Sequence, residues 1–194
     1  MELKERVYSV LVVSAATHFN EALAAHLPET EYSPVRIVTS ISSAQRAIVE
    51  RAFDIVLINA PLPDGAGDDL AIDICTRSNA ATLLFAKADV YDEMYTRLVE
   101  YGVFTLSKPA PAQLFSQALR WLAAARERLR RLEKRSVSLE DKMAEIRLIN
   151  RAKWLLISNR GMSEPDAHRF IEKQAMDRSM TRRQIADEII HAHG

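Results

Sequence analysis

Cysteine occurs once in 194 residues, at Cys75, so neither a disulfide framework nor a cysteine-based zinc site is available. Glycine and proline together number 12 against 27 alanines, which excludes collagen-like repeats and long disordered tracts. No apolar run approaches the roughly 18 residues that a membrane span needs. Met1-Glu2-Leu3-Lys4 does not lead into a signal peptide. Net charge is missing too, because 26 Lys and Arg offset 26 Asp and Glu. These absences predict a reduced cytoplasmic protein with no membrane partner, and nothing in the sequence calls for a metal or cofactor.

What is present is ordinary for a globular chain, 48% hydrophobic and 27% charged, and its length suits one large domain or two small ones. The zero net charge hides a division. Residues 1–118 hold 9 Lys and Arg against 15 Asp and Glu, a balance of −6; residues 119–194 hold 17 against 11, a balance of +6. Such asymmetry fits two modules with the basic one facing an anionic partner, although a helical segment with solvated Arg and Lys would give the same balance.

The first half alternates apolar β-branched runs with helical spacing. Residues 7–13, Val-Tyr-Ser-Val-Leu-Val-Val, read as a strand covered on both faces. A helix at 18–27 ends at Pro28, a strand follows at 35–39 after Pro34, and a helix occupies 42–52. The clearest strand is 53–58, punctuated by the turn residues of 61–65. A helix at 67–77, strand at 82–86, helix at 90–101 and strand at 103–107 complete five βα units. Strands alternating with helices of about ten residues predict an α/β doubly wound parallel five-stranded sheet.

The β/α period, Phe53-Asp-Ile-Val-Leu-Ile-Asn59, the 61–65 loop and Gly102-Val-Phe-Thr-Leu-Ser-Lys108-Pro109 together resemble the receiver domain of two-component response regulators, over roughly residues 5–120. The resemblance implies that Lys108 holds the position of the lysine that contacts an acyl phosphate, before a peptide bond that is commonly cis. Phosphotransfer needs a carboxylate nucleophile after the third strand and acidic groups after the first to hold Mg²⁺, a hard cation that takes oxygen ligands. It also needs a hydroxyl after the fourth strand. Here the nucleophile position is Asn59, the acidic pair is Ser14 and Ala15, the hydroxyl position is Ala86 and the aromatic switch position is Thr105. Only Lys108 survives. Rescue by Asp64, Asp68 or Asp69 is the lesser alternative, since these lie in or beyond the loop. The expectation is a degenerate phosphoacceptor site in a pseudo-receiver, with Lys108 hydrogen-bonded to Asn59 or a backbone carbonyl.

Beyond this unit, Ala118, Leu122, Ala125, Leu129, Leu132, Ser136, Leu139, Met143 and Ile146 recur at alternating spacings of four and three, the a/d seam of a coiled coil. Ser138-Leu-Glu-Asp141 also fits a capping box, so the segment is one helix or two with a break near 136–138. The seam predicts a homodimer; the alternative is an intramolecular hairpin. The last sixty residues carry cleaner punctuation. A helix at 139–159 ends at Gly161, Ser163-Glu-Pro-Asp166 opens a second to about Arg178, and Thr181-Arg-Arg-Gln184 opens a third to about His191. Their apolar stripes are Met143, Ile146, Ile149, Ala152, Leu155 and Leu156; Ala167, Phe170, Ile171 and Ala175; and Ile185, Ala186, Ile189 and Ile190.

Ile149-Asn-Arg-Ala-Lys153, Gly161-Met-Ser-Glu164, Ala167-His-Arg-Phe170, Lys173-Gln-Ala-Met-Asp177 and Ile185-Ala-Asp-Glu-Ile189 resemble the ANTAR domain, over roughly 135–192. That family comprises RNA-binding transcription antitermination regulators of the AmiR and NasR type. Trp154 departs from it, standing where the family usually has glycine; it either packs between helices of a dimer or offers a stacking surface. The expected organisation is therefore a pseudo-receiver at 1–118, a coiled-coil dimerisation linker at 119–137 and an ANTAR RNA-binding domain at 138–194.

The resemblance implies an antitermination regulator that binds hairpins in leader transcripts, with no enzymatic activity and with a possible regulatory partner protein on the pseudo-receiver. Arg169 and Lys173 share a helix face opposite Phe170 and Ile171. With Lys153, Arg160, Arg178, Arg182 and Arg183 they can neutralise phosphates, and arginine can stack on unpaired loop bases. His168, His191 and His193 read as surface residues. The alternatives are a DNA-binding response regulator, for which no recognition helix fits between the capping boxes, and a protein-interaction adaptor without nucleic-acid binding.

Overall fold

The computed structural model describes residues 6–193, and side chains to residue 192; Met1-Glu2-Leu3-Lys4 and the His193 side chain lie outside the described residues. Two compact units divide the chain, Met1–Arg131 and Leu132–Gly194. In the first, strands β1 (Tyr8–Val13), β2 (Tyr32–Val38), β3 (Ile55–Asn59), β4 (Ala81–Lys87) and β5 (Phe104–Lys108) form one sheet in the order β2-β1-β3-β4-β5. Every pairing is parallel, which requires crossover helices: α1 (Thr17–Ala24), α2 (Ile41–Glu50), α3 (Asp68–Arg77) and α4 (Tyr91–Leu98). The doubly wound reading holds.

Burial explains the continuous apolar runs. Side chains alternate between faces of a strand. Val10, Val12, Ile55 and Leu57 therefore enter the layer with Leu23, Phe115 and Leu122, while Leu11, Val13, Val56 and Ile58 enter the layer with Ala44, Leu70 and Leu98. All five residues of β3 are buried.

Three of the boundaries that differ from those expected have local reasons. β2 begins at Tyr32 rather than Val35 and contains Pro34. It is an edge strand, so proline's missing N–H costs no ladder bond, and Tyr8↔Tyr32 followed by Val10↔Val35 places an extra residue at the Ser33–Pro34 step. α1 stops at Ala24 instead of reaching Leu27. The helix expected to Tyr101 is α4 to Leu98, then a 3₁₀ turn over Val99–Tyr101, closed by Gly102 at φ 75°, a left-handed conformation that glycine adopts at no Cβ cost.

The helix α5 runs unbroken from Ala112 to Arg160, 49 residues. Ser138 is therefore interior to a helix and caps nothing. The seam expected along it has two fates. Ala118 and Leu122 are buried in the receiver-like core and Ala125 packs against it, whereas Leu132, Leu139, Met143 and Ile146 are exposed. The first unit accordingly extends to Arg131, well into the stretch expected as linker.

In the second unit, the end of α5 packs with α6 (Glu164–Asp177) and α7 (Arg182–His193) around Ala152, Leu156, Ala167, Ile171, Ala175, Ile185, Ala186 and Ile189. Met143 and Ile146, expected in this stripe, lie outside it; Ile149, Leu155, Phe170 and Ile190 are partly buried around it. Gly161, at φ 63°, ends α5 and donates its N–H to the Ile157 carbonyl at 3.1 Å. Ser163 Oγ accepts the Asp166 N–H at 3.3 Å. The Thr181–Gln184 box is reciprocal, with Gln184 N–H to Thr181 Oγ1 at 3.2 Å and Thr181 N–H to Gln184 Oε1 at 2.9 Å. Leu156 and Ile171 are essentially inaccessible, and truncating either to alanine should cost about 2–5 kcal/mol.

Candidate functional site

Each unit gathers one set of the candidate residues. In the first it lies at the C-terminal edge of the sheet, where parallel strands deliver their last residues to a common crevice. Asn59 ends β3, Ser14 follows β1, and Lys108 ends β5. Ser14 and Asn59 are buried. Asn59 Nδ2 donates to Ser14 Oγ at 3.0 Å, while Lys108 Nζ donates to Asn59 Oδ1 and to the Ala60 carbonyl, both at 2.5 Å. Both partners expected for Lys108 are thus used at once. Burial, reinforced by the Lys87 charge, pulls the Lys108 ammonium below its ordinary value. The Lys108–Pro109 peptide is cis. Ala86 is buried beneath this edge, Thr105 is half-buried on β5, and Ala15 is exposed.

The three nearby acids are engaged elsewhere. Asp64 accepts the Ile41 and Ser42 N–H groups at 2.8 and 3.0 Å, those hydrogen bonds holding its carboxyl below the usual range. Asp68 and Asp69 both bind Arg97, the latter at 2.6 Å. A second acid cluster, which the sequence pattern did not single out, joins Asp54 to Arg126 at 3.0 Å and Arg130 at 2.6 Å.

The second surface is cationic but heavily paired. Lys153 binds Glu164 at 2.7 Å, and Arg169 binds Asp166 at 2.8 Å. Arg178 grips both oxygens of Glu188 at 2.5 and 2.9 Å. Arg182 lies between Glu145 and Glu172 at 4.0 and 3.8 Å. Arg160 sits over the Phe170 ring, 5.6 Å from its centroid. Lys173 and Arg183 are exposed. Arg169 and Lys173 share a face of α6 as expected. Met176 joins them there, 80% exposed, an apolar residue that helical spacing would have located. The i,i+3 pair Asp166–Arg169 was equally legible; Arg178–Glu188, ten residues apart, was not. Trp154 is 69% exposed on α5. His168 and His191 lie on the surface, bonded to Glu172 and to the Asp187 carbonyl.

Exposed ion pairs of this kind contribute little to stability and are screened by salt. A phosphate can therefore displace a carboxylate from these arginines at small cost to the fold.

These features define a class: a receiver-type α/β unit joined through α5 to a basic helical unit. Residues 138–190 match the ANTAR domain, and the N-terminal unit has the fold of receiver domains. The transcriptional regulatory protein PdtaR of Mycobacterium tuberculosis is 27% identical over 142 residues, 73% of this chain and 69% of that one. The signal receiver domain of an HD domain-containing protein from Pseudomonas fluorescens superposes with TM-score 0.58 at 22% identity, over 70% of this chain and 97% of that one. NtrX from Brucella abortus does so with TM-score 0.58 at 17% identity, over 66% of this chain but 29% of the longer NtrX. No helix among the described residues is long and apolar enough to cross a membrane.

Proposed function

We propose that this protein is a cytoplasmic, non-enzymatic antitermination regulator whose ANTAR unit binds hairpins in leader transcripts, and whose receiver-like unit regulates it without being phosphorylated. The observation that carries the reading is the ANTAR match over 138–190 combined with Arg169, Lys173 and Met176 exposed on one face of α6. Cations there neutralise backbone phosphates, and arginine planes with Trp154 offer stacking surfaces for splayed loop bases, the mode by which single-stranded RNA is read. Homodimerisation fits the exposed Leu132, Leu139, Met143 and Ile146 stripe, whose spacing suits a second copy of the same helix. The missing acids at Ser14, Ala15 and Asn59 support control by a ligand or partner protein in place of a phosphoryl group.

The test compares RNA hairpins with duplex DNA of equal length, using wild type and an Arg169→Ala/Lys173→Ala variant. Neither side chain enters the core, so the variant stays folded. Wild type should prefer hairpins, and the variant should bind them on the order of tenfold more weakly, with a salt slope reduced by about one unit per lost phosphate contact. Equal affinity for hairpin and duplex would refute RNA recognition; unaltered hairpin affinity in the variant would move the site toward Arg178, Arg182 and Arg183.

A further inference from the structure

The receiver-like unit contains a cavity of about 540 Å³ on the α1 and α5 side of the sheet. That volume is in the range of small-molecule sites, about 300–1,000 Å³. Its walls are Phe19 and Leu23 from α1, Phe85 from β4, Phe115 from the first turn of α5, and Pro109. The rings already form an aromatic box: Phe19 meets Phe85 edge-on at 5.1 Å, and Phe85 lies 5.6 Å from Phe115. His26, which also lines the cavity, packs edge-on against Phe115 at 5.1 Å and bonds Ser116 Oγ at 3.1 Å.

Polarity is sharply one-sided. Among the described residues no carboxylate lines the cavity, and Lys108 contributes the one formal charge, His18 and His26 being the other polar residues there. Lys108 makes hydrogen bonds only to neutral acceptors, Asn59 and the Ala60 carbonyl, and forms no ion pair among the described residues. In a site built for phosphotransfer the neighbouring acids would neutralise this ammonium; here Ser14, Ala15 and Asn59 leave the charge uncompensated. A half-buried cation beside an apolar aromatic chamber is complementary to an anion with an apolar body.

We infer that this cavity binds a small organic carboxylate, its hydrocarbon or aromatic part among Phe19, Phe85 and Phe115 and its carboxylate on Lys108. Such a ligand gives the receiver-like unit an input that needs no phosphoryl donor. Because Ala112 and Phe115 belong to the start of α5, occupancy acts directly on the root of that helix.

The test uses the full chain with 3-phenylpropanoate and hexanoate as probes, each compared with its neutral primary amide and followed by amide chemical shifts. Both acids should bind, with shifts centred on residues around Phe19 and Phe115, and each amide should bind at least about tenfold more weakly, as expected for loss of a charge-assisted hydrogen bond. Lys108→Gln should reduce acid affinity to that of the amide. Ala22→Phe, at an exposed position of α1 that lines the cavity, fills the chamber from its surface side and should abolish binding of both forms in a folded protein. No binding by either acid, equal affinity for acid and amide in wild type, or undiminished binding to Ala22→Phe would each overturn the inference. The wild-type comparison decides the matter even if Lys108→Gln fails to fold.

Discussion

Replacing Asp54 with asparagine should loosen the seat of α5 on the receiver-like sheet. Asp54 Oδ2 accepts the Ser9 N–H and hydroxyl, both at 3.1 Å, and Oδ1 accepts Arg126 Nε at 3.0 Å and Arg130 Nη2 at 2.6 Å. Asparagine is isosteric but neutral, and its NH₂ would face either the Ser9 donors or the arginines. One set of donors therefore loses its acceptor. The side chains of Asp54, Arg126 and Arg130 are 14%, 13% and 27% exposed, between the surface and fully buried limits. Exposed pairs are worth about 0–1 kcal/mol and breaking a buried one costs about 3–5, so a loss of about 2 kcal/mol is expected. For a unit of this size that lowers Tm by roughly 5–10 °C.

The pH dependence supplies an independent check. Burial, the largest influence on Asp54, pushes its carboxyl up, but the Ser9 N–H and the two arginines together outweigh it and hold the group below its ordinary value. A depressed folded-state pKa stabilises the fold above the unfolded carboxylate pKa of about 3.9, and that contribution disappears as pH falls through the folded value. Thermal unfolding of the full chain by circular dichroism should therefore show a constant gap between wild type and Asp54→Asn from about pH 7 to pH 5, closing below about pH 4. A Tm difference under about 1 °C at neutral pH, or a gap that persists in acid, would refute this account of the cluster.

Acetyl phosphate or beryllofluoride with Mg²⁺ should neither modify the protein nor shift its amide spectrum, because Asn59 is neutral and Ser14 and Ala15 supply no carboxylate; an acid-stable, base-labile phosphoryl adduct detected by mass spectrometry would contradict this. Changing Leu129 and Leu132 together to polar residues should yield a monomer by light scattering, and an unchanged mass would favour an intramolecular arrangement of the helix. Ile171→Ala should destabilise the second unit by about 2–5 kcal/mol in denaturant unfolding, and a loss under about 1 kcal/mol would mean that α6 is not seated as described.

Legibility in the sequence followed burial. β1, β3 and β4 announced themselves because both faces are covered, so their apolar runs are unbroken. β2 was harder: Pro34 reads as a boundary until the strand is known to lie at an edge, and edge position is a property of the whole sheet. The 4–3 spacing on α5 correctly marked an apolar face but could not say what covers it. The receiver-like core takes Ala118 and Leu122, while Leu132 and Leu139 are left to solvent. At the candidate sites, residue identity alone exposed the missing acids, and the hydrogen bond from Lys108 to Asn59 was one of two foreseen. The acid partners of Arg178 and of Arg126 could not be read off the chain, because they depend on which elements fold against each other.

The loop after Asn59 is stapled in a way that bears on its motion. Asp64 caps the Ile41 and Ser42 amides of α2, and Ser40 caps Ser43, so the exposed N–H groups at the start of α2 draw the tip of the 61–65 loop onto it. The bonded Ile41 and Ser42 N–H groups should exchange with solvent more slowly than free amides. The Asp64 carboxyl is held below its ordinary value chiefly by the Ile41 and Ser42 N–H groups, so its charged form accepts both at neutral pH and is lost as pH falls through the folded value. The segment beside Asn59 is thus tied to the start of α2 at neutral pH, and a fall in pH acts on the loop and that helix together.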